Sequence, residues 1–124
     1  MSFTVVIADD DSDIRDLVNI SVRRAGLTVL AAASNGADAL EAIRAHNPDL
    51  AILDISMPEM NGMDVCRAVR ADPSIGDVRI LLLSASVDEA ARTQGIEAGA
   101  DYFMAKPFSP REMVAWLAVG KEER

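Results

Sequence analysis

A few positions in this chain of 124 residues carry groups suited to chemistry. Three acids run together as Asp9-Asp10-Asp11, and Asp54 directly follows the apolar run Leu50-Ala51-Ile52-Leu53. Ser84 closes a second apolar run, and Lys106 stands before Pro107 at the end of a third. Crowded carboxylates repel, so they take up protons or hold a cation. Oxygen-only donors suit a hard ion such as Mg²⁺, which takes one or two carboxylates plus phosphate and keeps several waters. A carboxylate beside such an ion can attack phosphorus and become an acyl phosphate. A lysine adds positive charge at the phosphoryl oxygens, and a hydroxyl can hydrogen-bond another. Asp9 or Asp10, Asp54, Ser84 and Lys106 can fill these parts.

Those groups form a site only where a fold carries them to one place. The chain alternates short strand-like runs with longer helical patterns. Phe3 to Ala8 reads as a first strand built on Val5-Val6-Ile7. Ile14, Leu17, Val18, Val22 and Ala25 then share a helical face, with Ser12 as the expected cap and Gly26 as the stop. Leu27 to Ala32 reads as a second strand. Asn35 can cap a second helix carrying Ala39, Leu40 and Ile43, which stops before Pro48. After Asp54, a loop with Pro58, Asn61 and Gly62 leads to a third helix from about Met63 to Ala71.

Val78 to Leu83 is the most apolar strand. The fourth helix, from about Val87 to Ala98, has a thin apolar face and contains Gly95. Asp101 to Ala105 gives a short fifth strand. Ser109, Pro110 and Glu112 form a capping box that starts a last helix reaching about Val119. Trp116 lies off the Met113-Leu117 stripe of that helix, so partial exposure is expected.

Five βα units in a row imply a parallel sheet covered by helices on both faces. Ligands bind such sheets beyond the carboxyl ends of the strands. Four of the five strands deliver Asp9-Asp10, Asp54, Ser84 and Lys106 to that edge. No repeat, low-complexity segment or linker interrupts the pattern. One domain over residues 1–124 is expected, with no output domain visible.

Composition narrows the function classes. Half of the residues are hydrophobic, enough for a core at this length. The net charge of -8 argues against a direct nucleic-acid surface, which needs a basic stripe. The one cysteine, Cys66, cannot form an internal disulfide, and its helical neighbours Val65 and Val69 suggest a buried thiol. The single histidine leaves no material for a His-rich metal site. No basic leader precedes an apolar run, and no stretch reaches ~20 apolar residues, so no membrane contact and a cytoplasmic location are the expectation.

Taken singly, each residue has an ordinary reading. The first acids could cap a helix, Asp54 could shape a turn, Ser84 could bond backbone, Lys106 could sit in water and Phe103 could be plain core. The joint arrangement is what points to chemistry. In that arrangement the sequence resembles the CheY-like receiver domains of two-component response regulators, from Phe3 to about Val119. The matching pieces are Val5-Val6-Ile7-Ala8-Asp9-Asp10-Asp11 with Arg15 downstream, Leu53 to Gly62 around Asp54, Ser84-Ala85, and Gly99-Ala100-Asp101 leading to Lys106-Pro107-Phe108.

The resemblance implies a flavodoxin-like, doubly wound five-stranded parallel sheet in strand order 2-1-3-4-5. It implies that Asp9 and Asp10 hold Mg²⁺ (with Mn²⁺ as a substitute) and that Asp54 is both metal ligand and phosphoryl acceptor. Ser56 would offer its backbone carbonyl to the metal. Ser84 would be the switch hydroxyl, and Lys106 the phosphate-binding lysine, joined to Pro107 by a cis peptide. The aromatic switch position falls on Phe103, where tyrosine is common, and strand alternation turns Tyr102 the other way.

The implied donor is a phosphohistidine on a sensor kinase or histidine phosphotransfer protein. The implied reader is a downstream protein or a fused output domain, at a face made by the fourth helix, fifth strand and fifth helix. The implied role is a phosphoacceptor switch rather than an enzyme, and a phosphorylation-linked homodimer is compatible with it. Two rival readings are a phosphohydrolase of the haloacid dehalogenase type and a pseudo-receiver that only binds a partner. The first wants a second Asp where Ser56 stands. The intact acids and lysine argue against the second.

Overall fold

Strand and helix alternate along the computed structural model, which describes residues 3–85 and 88–120. Strands β1 (Thr4–Ala8), β2 (Thr28–Ala33), β3 (Leu50–Asp54), β4 (Arg79–Ser84) and β5 (Tyr102–Ala105) are interleaved with five helices. These are α1 (Ser12–Arg24), α2 (Gly36–His46), α3 (Gly62–Ala71), α4 (Glu89–Ala98) and α5 (Pro110–Gly120). The strands pair in parallel in the order β2-β1-β3-β4-β5, the flavodoxin-like arrangement that the sequence implied.

Strand side chains alternate between faces, and here both alternants are apolar. Val5 and Ile7 of β1, Leu50 and Ile52 of β3, and Leu81 and Leu83 of β4 pack with Val18 and Val22 of α1 and Met113 and Leu117 of α5. Their neighbours Val6, Ala51, Leu53, Ile80 and Leu82 pack on the other face with Ile43 of α2 and Val65, Cys66 and Val69 of α3. The register sets Val6, Ala51 and Ile80 side by side, so each layer runs unbroken across the central strands. β5 keeps the pattern. Tyr102 and Met104 join the α1/α5 side, and Phe103 joins the other.

The caps agree with the sequence reading at two helices and differ at one. Asn35 accepts from the Asp38 amide at 2.8 Å, and Ser109 and Glu112 form the expected capping box of α5. At α1 the cap is Asp11 instead of Ser12: its side chain accepts from the amides of Asp13 and Ile14 at 2.9 and 3.4 Å. Asp11 has the extended backbone a cap requires, so Ser12 becomes the first helical residue. An anionic acceptor at that terminus also meets the helix dipole favourably. β2 and β4 each sit one residue later than expected, which brings Ser84 inside its strand. The expected start of α4 at Val87 lies outside the described residues; Asp88 caps the helix, whose first residue is Glu89.

Two glycines set how closely the β3–α3 loop packs. A Cβ on Gly36 would run into the Met60 carbonyl oxygen, and one on Gly62 would lie 2.5 Å from that of Asp54. Only hydrogen fits at either position, so α2 and α3 begin directly against the loop that follows Asp54.

Candidate functional site

The sheet order reverses at β1 and β3, and the site lies beyond the carboxyl ends of those strands. Asp9 leaves β1 and donates its amide to Ala33 O at 3.1 Å. Its side-chain Oδ1 accepts from the Asp11 amide at 2.9 Å, and Arg15 Nη1 donates to its carbonyl at 2.9 Å. Asp54 is the last residue of β3. The amide of Ile55 continues the ladder to Leu83 O at 3.0 Å, and Gly62 N–H then donates to Ile55 O at 2.9 Å, bending the chain into α3. Ser84 ends β4, and its carbonyl accepts from Lys106 N–H at 2.8 Å. The Lys106–Pro107 peptide is cis, as the resemblance implied.

These backbone ties bring the side chains together. Lys106 Nζ lies 2.9 Å from Asp9 Oδ2 and 3.1 Å from Asp54 Oδ1. Asp9 is fully buried, Asp54 is 4% exposed and Asp10 is open to solvent. Carboxylate oxygens of Asp9, Asp10 and Asp54 all lie within 4.8 Å of one another. Asp10, Asp54, Ser56, Ser84 and Lys106 line a cleft of about 340 Å³. Phe103 stands outside that cleft: its ring is half-buried beneath α4 against Gly95, with the Arg92 guanidinium 6.0 Å from the ring centre.

Charge in the cleft is unbalanced. Burial pushes the Asp54 carboxyl up, and the charge of Asp9 pushes it further. The hydrogen bond and charge of Lys106, with the Ser56 N–H, pull it back, and it settles at about 6. Burial acts to lower the Lys106 ammonium, but the neighbouring carboxylates of Asp9 and Asp54 outweigh it and hold the group above its ordinary value. One ammonium thus serves two buried carboxylates, with a third beside them. Asp9 Oδ2, although close to Lys106, makes no aligned hydrogen bond. An excess of negative charge, all-oxygen donors and an unsatisfied buried oxygen fit a small hard dication such as Mg²⁺.

Sequence reasoning missed one part of the surroundings. Arg70 of α3 donates to Gly99 O at 2.9 Å, to Val78 O at 2.6 Å and to Asp101 Oδ2 at 2.8 Å. The same Asp101 oxygen accepts from Ile80 N–H at 2.9 Å. This network fastens the carboxyl end of α4 to α3 and β4. The Gly99-Ala100-Asp101 stretch was the visible signal, but it does not reveal its partner on α3. The expectations at Cys66 and Trp116 hold. Cys66 is buried, and burial pushes its thiol up to about 12. Trp116 is half-buried, edge-on to Tyr102 at 5.0 Å. Among the described residues, no helix is long and apolar enough to cross a membrane.

Comparison with known proteins agrees with this geometry. Residues 5–118 match the family model of the response regulator receiver domain. The chain is 41% identical over 112 residues to the transcriptional regulatory protein GltR of Pseudomonas aeruginosa, covering 90% of this chain and 46% of that protein. It is 40% identical over 111 residues to the DNA-binding response regulator MtrA of Mycobacterium tuberculosis, covering 90% and 47%. The chain therefore spans about half the length of these curated relatives. Among solved structures, the signal receiver domain of NarL from Mycobacterium tuberculosis superposes with a TM-score of 0.89 at 35% identity, over 99% of this chain and 98% of that one. The chain belongs to the response regulator receiver domain family, the phosphoacceptor signalling modules of two-component systems.

Proposed function

We propose that Asp54 accepts a phosphoryl group from the phosphohistidine of a sensor kinase or histidine phosphotransfer protein, and that the chain switches state as a result. The observation that carries this reading is the buried Asp54 carboxylate with Lys106 at 3.1 Å and two further acids within 4.8 Å. At neutral pH Asp54 is mostly ionised and can act as nucleophile. Its oxygen forms the new O–P bond as the donor's P–N bond breaks, and the electron pair of that bond leaves with the imidazole. Lys106 faces the incoming phosphoryl oxygens and offsets their charge. Asp9, Asp10 and Asp54, with the Ser56 carbonyl, would hold Mg²⁺, or Mn²⁺ in its place. The bound ion supplies charge neutralisation at the transferring group.

After transfer, Ser84 donates its hydroxyl to the phosphoryl group, and the β4–α4 segment shifts with it. Phe103 then moves deeper, and the face formed by α4, β5 and α5 changes its shape. α4 suits a mobile part, because Gly95 and Ala98 are its only buried residues among those described. A downstream protein or a fused output domain reads the change. The single-domain extent, residues 1–124, belongs to the same proposal.

Intact-mass analysis after incubation with acetyl phosphate and Mg²⁺ tests the reading. One phosphoryl group adds about 80 Da. The addition disappears in Asp54→Ala and when a chelator replaces the metal. An unmodified wild type, or a modified Asp54→Ala, contradicts the assignment.

A further inference from the structure

Two Asn-Gly pairs begin helices in this chain, Asn35-Gly36 at α2 and Asn61-Gly62 at α3. Such a pair is open to reaction within itself, because glycine has no Cβ to shield its backbone nitrogen from the asparagine side chain ahead of it. Attack of that nitrogen on the side-chain amide closes a succinimide ring and releases ammonia, and water then opens the ring. Both asparagines are helix caps, and the oxygen of each accepts from the amide of the residue three places on, at 2.8 Å for Asn35 and 2.9 Å for Asn61. A helix-terminal N–H at that oxygen stabilises the negative charge that develops there during attack. This feature is common to the two pairs and does not separate them.

The other reacting groups do separate them. Gly62 N–H donates to Ile55 O at 2.9 Å, so the attacking nitrogen of the second pair is engaged. The nearby Asp64 carboxylate accepts from the Asn61 amide at 3.4 Å and from Arg67 Nη1 at 3.2 Å, so it is engaged as well. Gly36 N–H, by contrast, donates to no described residue. Asn35 Nδ2, the nitrogen that must leave, donates to Asp38 Oδ2 at 3.0 Å. Asp38 is exposed and forms no ion pair with a described residue. The first pair thus has an unengaged nucleophile and a carboxylate seated at the departing nitrogen, where it can carry a proton.

We propose that Asn35-Gly36 is a self-modification site, converted to aspartate and isoaspartate with Asp38 as proton carrier, and that the fold spares Asn61-Gly62. Gly36 N forms a bond to Asn35 Cγ, and the proton of that amide passes by way of Asp38 Oδ2 to Nδ2. The Cγ–Nδ2 bond breaks and ammonia leaves. Water adds to one or the other carbonyl of the succinimide and breaks its bond to the ring nitrogen, which leaves a carboxylate. The aspartate product remains a good helix cap. The isoaspartate product adds a backbone carbon directly before Gly36, where the Met60 carbonyl leaves no spare room. Its strain therefore falls on the loop that follows Asp54. The proposal does not rest on phosphoryl transfer, since neither Asn35 nor Asp38 lines the strand-end cleft.

Peptide mapping by mass spectrometry tests it on the full chain, held for weeks in warm, mildly alkaline buffer, with an isoaspartyl methyltransferase marking the isoaspartate. In the folded chain Asn35 is expected to convert about tenfold faster than Asn61, which must first break the Gly62–Ile55 hydrogen bond and lacks the proton carrier. In urea, where only local sequence remains, the two pairs are expected to convert at similar rates. Asp38→Asn keeps the shape of the side chain without its charge and is expected to slow conversion at Asn35 severalfold. Asn35→Ser keeps a cap and abolishes conversion there. Circular dichroism checks that both variants stay folded. Equal rates at the two pairs of the folded chain, or a faster Asn61, overturn the proposal. A folded chain still intact at Asn35 once the chain in urea has converted overturns it too. So does an Asp38→Asn variant that reacts as fast as the wild type or faster, which makes the carboxylate a restraint on Asn35 instead of a proton carrier.

Discussion

Two buried carboxylates share the ammonium of Lys106, and the imbalance has a measurable consequence at Asp54. Its carboxyl moves from an ordinary 3.8 to about 6 on folding. Between those values the folded chain binds more protons than the unfolded chain. Stability therefore falls as pH rises through the interval and stays lower above it. Asp54→Asn removes the effect, so in metal-free buffer the variant gains on the wild type from about pH 4 to about pH 7, reaching about 1–3 kcal/mol. Urea unfolding across that range, with chelator present, measures the difference; a constant or shrinking gap contradicts the account. Metal addition is expected to reverse the penalty. At a free Mg²⁺ concentration a hundredfold above its dissociation constant, the wild type gains about 2.7 kcal/mol, or about 10 °C in its thermal midpoint. Thermal unfolding with Mg²⁺ and with chelator checks this, and Asp54→Asn is expected to lose most of the gain.

At the scale of elements, the loop between β3 and α3 is where the site is most constrained. Glu59 has φ of +69°, and Met60 N–H donates to Pro58 O at 2.8 Å across it, a tight turn that disfavours a side chain at its centre. Glu59→Gly relieves that conformation and is expected to stabilise the chain by up to about 1 kcal/mol in denaturant unfolding. Gly62→Ala is expected to act in the opposite sense. Its methyl would crowd the carbonyl of Asp54, costing about 1–3 kcal/mol and displacing that residue. The mutant should unfold at lower denaturant and incorporate phosphate more slowly from acetyl phosphate. The Arg70 network plays the corresponding part for α4. It pins the carboxyl end of that helix at Gly99.

Across the whole molecule, the strand-end residues were legible because each strand is a short apolar run whose last residue is obvious. Asp54, Ser84 and Lys106 follow such runs, and parallel topology sends them to one edge. The cap at α1 was misread because Asp11 and Ser12 are equally good cap types and only the backbone angle separates them. The Arg70–Asp101 pair spans α3 and the α4–β5 turn, a contact that depends on tertiary packing and leaves no local pattern. The need for glycine at 36 and 62 arises the same way, from backbone brought close by the fold.

The sealed position of Cys66 turns the chain into a convenient laboratory reagent. Thiol reagents attack the thiolate, and here the thiol is both enclosed and held protonated. A single cysteine placed at Ile96, which is 63% exposed, can be coupled to a fluorophore without first removing Cys66. The hidden thiol then serves as an internal gauge. Its slow reaction with a disulfide reagent in the native chain counts opening events, so any substitution can be ranked by how often the core of α3 comes apart.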